Sequence, residues 1–113
     1  MDYFKDWQKF SPKGATVDFF KTQKDDEKYI GFDTRACVPP EPMLNAMLAL
    51  KFADKNTKIV MINHKFPAGL MPKIEKNFYV ISENLEGEQV KLTFSLKDGA
   101  SLEGFDFNQT CHG

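Results

Sequence analysis

The chain has 113 residues, of which 42% are hydrophobic and 27% charged, and its formal net charge is -1 at pH 7. This length and composition fit one soluble globular domain and exclude a disordered or fibrous chain. The near-zero charge gives no overall positive field that would attract nucleic acid or an anionic membrane, so neither is expected as a partner.

Residues 1–27 are predicted to form an N-terminal extension. Four aromatic residues recur at helical spacing within Asp2–Phe10, which predicts a short amphipathic helix. This segment lacks the apolar run of a secretory signal or a transmembrane span, so a cytoplasmic protein is expected. The next segment, Ala15–Gln23, is ambiguous between helix and strand, but its branched and aromatic residues favour an added strand that pairs with the one that follows.

The central domain is predicted over residues 28–97 and starts with a strand, a helix and a second strand. Two apolar runs rich in branched or aromatic residues, Lys28–Asp33 and Lys58–Asn63, have the length of strands. Pro40–Phe52 lies between them and is predicted to be a helix, whose first turn tolerates prolines because its amides have no intrahelical partners. Since this helix is almost entirely apolar, it is expected either to be buried on two sides or to offer a hydrophobic face for a homodimer.

The second half of the domain is predicted to add a helix and a hairpin. A shorter helix is predicted at Pro72–Asn77, followed by strands Tyr79–Asn84 and Gln89–Leu96 around a turn in which Gly87 supplies a positive φ. The predicted fold is an α/β two-layer sandwich of the order strand-helix-strand-helix-strand-strand, with two helices on one face of a four-stranded mixed sheet. Residues 98–113 are expected to form a C-terminal tail.

The chemically distinctive residues follow the two central strands. Arg35, the only arginine of the chain, Cys37 and Glu41 come after the first strand, and His64 and Lys65 come after the second. A right-handed crossover makes these strands parallel, so their carboxyl ends meet at one edge of the sheet. Open α/β sheets bind ligands at this edge, which predicts a binding surface for a protein partner or a small or anionic ligand.

Each of these residues also has a structural interpretation. Arg35 suits anion binding, but it could equally pair with Asp33 or Glu41 to fasten the loop. Cys37 would be a reactive thiol if Arg35 and the helix N-terminus lowered its pKa, and is otherwise an inert small side chain. Glu41 lies in the first turn of the predicted helix, where a negative charge interacts favourably with the helix dipole, and this interaction alone could account for it. His64 is a candidate metal ligand or proton shuttle, or a residue that caps the turn.

The number of cysteines and the absence of catalytic motifs argue against a disulfide-rich protein and against an enzyme. Cys37 and Cys111 are too few and too far apart for a disulfide framework, and both are expected to be free thiols. Cys111 and His112 lack the spacing of a metal site, which favours a simple tail. The sequence has no serine in a nucleophile elbow, no glycine-rich phosphate loop and no dense carboxylate or histidine cluster. An enzyme is therefore disfavoured, and no cofactor is predicted.

The segment FDTRACVPPEPMLNAMLAL, followed by KIVMINHKFPAGLMPKIEKNF and the hairpin, resembles an uncharacterised bacterial domain family with a D-x-R, P-P-E-P and H-x-x-P pattern. Asp33, Arg35, His64 and Pro67 fall on this pattern. Some members of the family sit beside hemerythrin-like domains, and the family in turn is similar to the TusA (SirA-like) sulfur carriers. Pro39 occupies the position of the persulfide cysteine of those carriers, which excludes a sulfur relay through that position.

Three functions follow as hypotheses from these observations. The first is a non-catalytic binding or adaptor domain that uses the loop Arg35–Pro42 and His64, which the resemblance places in redox or respiratory metabolism. The second is a redox or persulfide carrier that acts through Cys37. The third is a metal or haem binder that uses His64 with Cys37 or Glu41.

Overall fold

The computed structural model describes residues 2–100, which form six strands and two helices. The elements, in chain order, are β1 Gln8–Phe10, β2 Phe19–Lys24, β3 Glu27–Asp33, α1 Glu41–Leu50, β4 Thr57–Asn63, α2 Met71–Ile74, β5 Phe78–Asn84 and β6 Val90–Leu96. None of the helices within residues 2–100 is long and apolar enough to cross a membrane. Cys111 and His112 lie outside the described residues.

The strands form one mixed sheet in the order β1-β2-β3-β4-β6-β5. β3 and β4 are parallel, with Ile30 opposite Ile59, and every other neighbouring pair is antiparallel. The predicted mixed sheet and its parallel central pair are confirmed, and so is the added strand predicted within Ala15–Gln23, which is β2 and pairs with β3. The prediction of a four-stranded sheet is wrong, because β1 is also present. β1 and β2, which both fall in the predicted N-terminal extension, complete a six-stranded sheet.

The two helices pack on one face of the sheet. Buried residues of α1 and α2, such as Met47 and Ile74, share a core with Ile59 and Met61 of β4. Alternate residues of the same strand, Val60 and Ile62, point to the opposite face, as the pleat requires. Aromatic side chains cover that second face in place of helices; they are Tyr3, Phe4, Trp7, Phe20 and Tyr29.

The N-terminal segment supplies this aromatic cover, and the predicted helix over Asp2–Phe10 is wrong. Residues 3–6 make a turn, closed by the Trp7 N–H, which donates to the Phe4 carbonyl (3.0 Å), and β1 follows. Phe4 packs on the second face, stacked on Phe20 at 5.3 Å between ring centroids, whereas Phe10 contacts Phe19 and the helical layer. A straight helix cannot serve both faces of one sheet, whereas a turn followed by a strand can.

Helix α1 is buried on nearly all sides. It starts after Pro40 with Pro42 in its first turn, as predicted, but ends at Leu50, two residues before the predicted Phe52. Seven of its ten residues are buried, including Asn45. The sheet covers one side of the helix, and partly buried residues of the N-terminal segment, Ala15 and Val17, pack against the same core. The apolar composition of α1 is thus accounted for within one chain.

The remaining elements follow the prediction with small shifts. α2 covers only Met71–Ile74, which is shorter than the predicted Pro72–Asn77. β5 and β6 pair as the predicted hairpin, with Phe78 opposite Leu96 and Gly87 at a φ of 66° in the turn. β6 lies between β4 and β5, so the hairpin extends the sheet beyond the central parallel pair.

Candidate functional site

The carboxyl ends of β3 and β4 are joined by a buried polar contact. The backbone N–H of Thr34 donates to the Ile62 carbonyl at 2.8 Å, and the fully buried Thr34 hydroxyl lies 2.8 Å from Asn63 Oδ1. Asn63 Nδ2 in turn donates to the carbonyl of Lys65 at 2.9 Å. This network holds the start of the loop after β4. Sequence analysis missed Thr34 and Asn63, although a polar residue at the end of an apolar strand indicates a buried polar contact.

A cavity of about 240 Å³ lies at this edge, between the start of α1 and the loop after β4. One wall consists of prolines around the helix start, and the other consists of residues 64–70. Met43 and Met61 also line it. The lining is therefore mainly apolar, and within residues 2–100 its only polar side chains are those of Asn63, His64 and Lys65.

His64 and Lys65 give this cavity its polar end. His64 is partly buried, and within residues 2–100 its Nδ1 is a buried nitrogen without a hydrogen-bond partner. Buried polar atoms are nearly always paired, so an unpaired one requires an explanation such as a missing ligand. Lys65 is exposed and lines the same cavity, which places it at the rim. The next residue, Phe66, is 44% exposed although it is apolar.

Arg35 lies in a different place. Its guanidinium makes hydrogen bonds to both carboxylate oxygens of Asp33, at 2.6 Å from Nη2 and 3.0 Å from Nε, and these bonds raise its pKa. It also reaches Gln89 Oε1 at 3.4 Å and sits over the Tyr3 ring, 5.2 Å from the centroid. Arg35 lines a second, more open cavity that shares no lining residue with the cavity beside His64. The loop-fastening pair with Asp33, one of the two roles considered for Arg35, is present.

Cys37 is a half-buried free thiol in the loop between β3 and α1. Burial raises its pKa, and the negative charges of Glu41 and Asp33 raise it further. This direction is opposite to the lowering expected from Arg35 and the helix N-terminus. Burial is the largest cause, and Arg35, whose guanidinium pairs with Asp33, does not lower the pKa of Cys37.

Glu41 is the first residue of α1 and is partly exposed. Its backbone carbonyl accepts a hydrogen bond from Asn45 Nδ2 at 2.9 Å. Glu41 does not line the cavity beside His64. Of the five residues predicted for the binding edge, the structure brings His64 and Lys65 together in one cavity, and it places Cys37 and Glu41 close enough for their charges to interact.

Cavity-lining residues that sequence analysis did not single out are Phe66, Ala68 and the methionines. Phe66, between His64 and Pro67, could have been recognised from the sequence. A turn on the surface offers little opportunity to bury an aromatic side chain, so an aromatic residue there indicates a functional surface. The methionines carried no such signal, since core filling accounts equally well for Met43 and Met61. Within residues 2–100, no three histidine, cysteine, aspartate or glutamate side chains are grouped in a way that could hold a metal ion.

No family model matches the chain, and no curated protein or solved structure is significantly similar to it.

Proposed function

We propose that this protein is a non-catalytic binding domain whose ligand is a small, mainly apolar molecule held in the cavity beside His64. The observation that carries this proposal is the mainly apolar cavity itself, with the side chains of His64 and Lys65 at one end of its lining. Small-molecule sites typically combine an apolar lining with a few placed polar groups. The volume of about 240 Å³ is somewhat below the range typical of drug-sized ligands, so the ligand is small.

The position of the cavity supports the same proposal. It lies outside the carboxyl ends of β3 and β4, where open α/β sheets bind ligands, and the Thr34 and Asn63 network fixes one of its walls. A rigid wall lowers the entropic cost of binding, because the loop is ordered before the ligand arrives. A concave, mainly apolar cavity of this size suits a small molecule.

The resemblance to the TusA-like family belongs to this proposal as a structural hypothesis. Residues 27–96 have the proposed order of strand, helix, strand, helix and hairpin, with a parallel β3 and β4 and both helices on one face. A persulfide carrier through Cys37 is not favoured by a specific observation, since burial and neighbouring carboxylates keep this thiol protonated near neutral pH.

The experiment that tests the proposal uses the methionines as reporters. The protein labelled with methyl-¹³C methionine is titrated with benzyl alcohol, benzamide and benzoate, and the methyl signals are followed by NMR. We expect saturable shifts of Met43 and Met61, which line the cavity, and smaller shifts of Met47, which belongs to the core but does not line the cavity.

A matched pair of variants locates the binding. Ala68→Phe places a ring at the exposed mouth of the cavity and should abolish the shifts. Ala36→Phe adds the same ring at another exposed position, beside the second cavity, and should leave them unchanged. The proposal fails if none of the three probes shifts Met43 or Met61, or if the shifts persist undiminished in Ala68→Phe.

A further inference from the structure

The cavity offers a ligand few polar groups, and these groups can act as hydrogen-bond donors. Asn63 is already engaged through both of its side-chain polar atoms, by the Thr34 hydroxyl and by the Lys65 carbonyl. This leaves the side chains of His64 and Lys65 as the polar partners that the cavity offers to a ligand. An ammonium group only donates hydrogen bonds, and an imidazole donates when the facing nitrogen carries the proton.

The charge around the cavity has one sign. No aspartate or glutamate is among the residues that line it, and Lys65 stands at its rim. The start of α1 forms part of the wall, but its prolines carry no N–H group and Glu41 in the first turn offsets the helix dipole, so the helix itself adds no donor from these prolines. Glu41 does not line the cavity. A ligand group that enters here therefore meets the side chains of His64 and Lys65.

We infer that the ligand is a small carboxylic acid with an apolar body, bound as its carboxylate. The body occupies the space between the prolines and the methionines, and the carboxylate accepts hydrogen bonds from the His64 imidazole and from the Lys65 ammonium. Such charge-assisted bonds are about twice as strong as neutral ones, and the apolar surroundings strengthen them further. This inference rests on the proposed function and adds the chemical class of the ligand.

The test compares three probes of nearly equal size that differ in their polar group. Affinities of benzoate, benzamide and benzyl alcohol are measured from the Met43 methyl shifts. Benzoate should bind about tenfold more tightly than the two neutral probes, the difference expected for a hydrogen bond made to a charged instead of a neutral group. Added salt should weaken benzoate binding and leave benzamide binding unchanged, since only the anion is screened.

Variants at the two polar residues assign the interaction. Lys65→Gln should lower benzoate affinity roughly two- to fivefold, as for an exposed ion pair, while Lys65→Arg retains it. His64→Phe fills a similar volume without the nitrogen and should lower benzoate affinity by about tenfold. Benzamide affinity serves as the internal control in each variant, because it reports whether the cavity itself is intact.

The outcomes separate this inference from the proposed function. If benzamide or benzyl alcohol binds as tightly as benzoate, or if Lys65→Gln leaves benzoate unaffected, the carboxylate inference is overturned while the binding function stands. If no probe shifts Met43 or Met61, both fail. Tighter binding of benzoate that depends on Lys65 and His64 supports both.

Discussion

Asn45 shows how one polar side chain can stabilise a nearly apolar helix. Its Oδ1 accepts the Thr16 backbone N–H at 3.0 Å, and its Nδ2 donates to the Thr16 hydroxyl at 2.8 Å and to the Glu41 carbonyl. Asn45 is fully buried. It therefore fastens the segment between β1 and β2 to α1, a long-range contact that the sequence pattern did not reveal.

Replacing Asn45 should destabilise the protein strongly. Asn45→Leu keeps the branched shape but introduces a larger, apolar side chain that cannot hydrogen-bond to Thr16 or to the Glu41 carbonyl, and overpacking together with the lost hydrogen bonds should lower the free energy of unfolding by about 1 to 3 kcal/mol. Urea denaturation followed by circular dichroism measures this loss. The same substitution at the exposed Asn56, whose side chain makes no comparable contact, should change stability by less than about 0.5 kcal/mol. Equal effects at both positions would contradict the assigned role of Asn45.

The thiol of Cys37 should react slowly at neutral pH. Burial, together with the charges of Glu41 and Asp33, raises its pKa, so the thiolate fraction at pH 7 is smaller than in an unfolded peptide. The measurement is the pH dependence of the rate of alkylation by iodoacetamide in a Cys111→Ser background. The midpoint of the rate profile should lie above that of a cysteine in a short peptide.

A second variant checks the cause of this shift. Glu41→Gln removes one of the carboxylates that raise the pKa of Cys37, so its rate profile should move to lower pH. Because the neighbouring Asp33 and the burial remain, the shift should be partial. A Cys37 midpoint below that of the peptide would instead support the carrier hypothesis and argue against the protonated thiol.

Among the strands, β3 requires a glycine at its centre. A Cβ built on Gly31 would overlap the Phe4 ring, because that ring lies directly on the strand. Phe4 is only 3% exposed and belongs to the aromatic cover of the second face, with Trp7 at 4.9 Å between ring centroids. The absence of a side chain in β3 thus makes room for the N-terminal turn.

A double-mutant cycle tests this fit. Gly31→Ala alone should cost about 1 to 3 kcal/mol, because the Phe4 ring must move, and Phe4→Ala alone about 3 to 5 kcal/mol. In the Phe4→Ala background the ring atoms that the added methyl group would overlap are absent, so Gly31→Ala should cost much less than in the unmodified protein. Urea denaturation of the four proteins gives the coupling energy. Additive costs would show that the ring and the glycine do not share this space.

Elements with one dominant pattern were predictable from the sequence. The runs KYIGFD and KIVMIN are strands within one residue of their predicted starts, and the alternation in β6 predicts its buried face, which carries Val90, Leu92 and Phe94. The aromatic spacing of Asp2–Phe10 was misleading, because period alone does not show that Phe4 and Phe10 serve opposite faces of one sheet. This is a tertiary effect, and it overrides the local preference.

The edge of the sheet at which the cavity lies could be predicted from the sequence, but the arrangement of its side chains could not. Parallel strands had to bring the residues after β3 and β4 to one edge, and the cavity there is lined by prolines that follow β3 and by His64 and Lys65 that follow β4. The direction of Arg35 depends on its pairing with Asp33 and on Tyr3 from the N-terminal turn. The sign of the Cys37 pKa shift depends on distances to two carboxylates. Neither property can be read from residue order.

At the scale of the whole molecule, the N-terminal segment belongs to the core and not to its periphery. Phe19 of β2 is fully buried and stacks on Phe32 of β3 at 5.1 Å between ring centroids. Phe10 packs against Phe19 and against Phe52 beyond the end of α1. The segment therefore closes the helical layer from one side while its first turn covers the opposite face of the sheet.

Residues 28–97, the domain predicted from the sequence, should therefore not fold on their own. Without the preceding segment, Phe32 loses its stacking partner Phe19, and Asn45 loses its hydrogen bonds to Thr16. β3 becomes an edge strand that pairs only with β4. Burying one phenylalanine contributes about 1.5 to 3 kcal/mol, and a domain of this size has only about 5 to 15 kcal/mol of total stability. Thermal unfolding of a chain of residues 2–100, followed by circular dichroism and by the dispersion of its NMR signals, should show a cooperative transition, whereas a chain of residues 28–97 should show none. A sharp transition and well-dispersed signals from residues 28–97 would instead establish the first two strands as an accessory to a self-sufficient four-stranded domain.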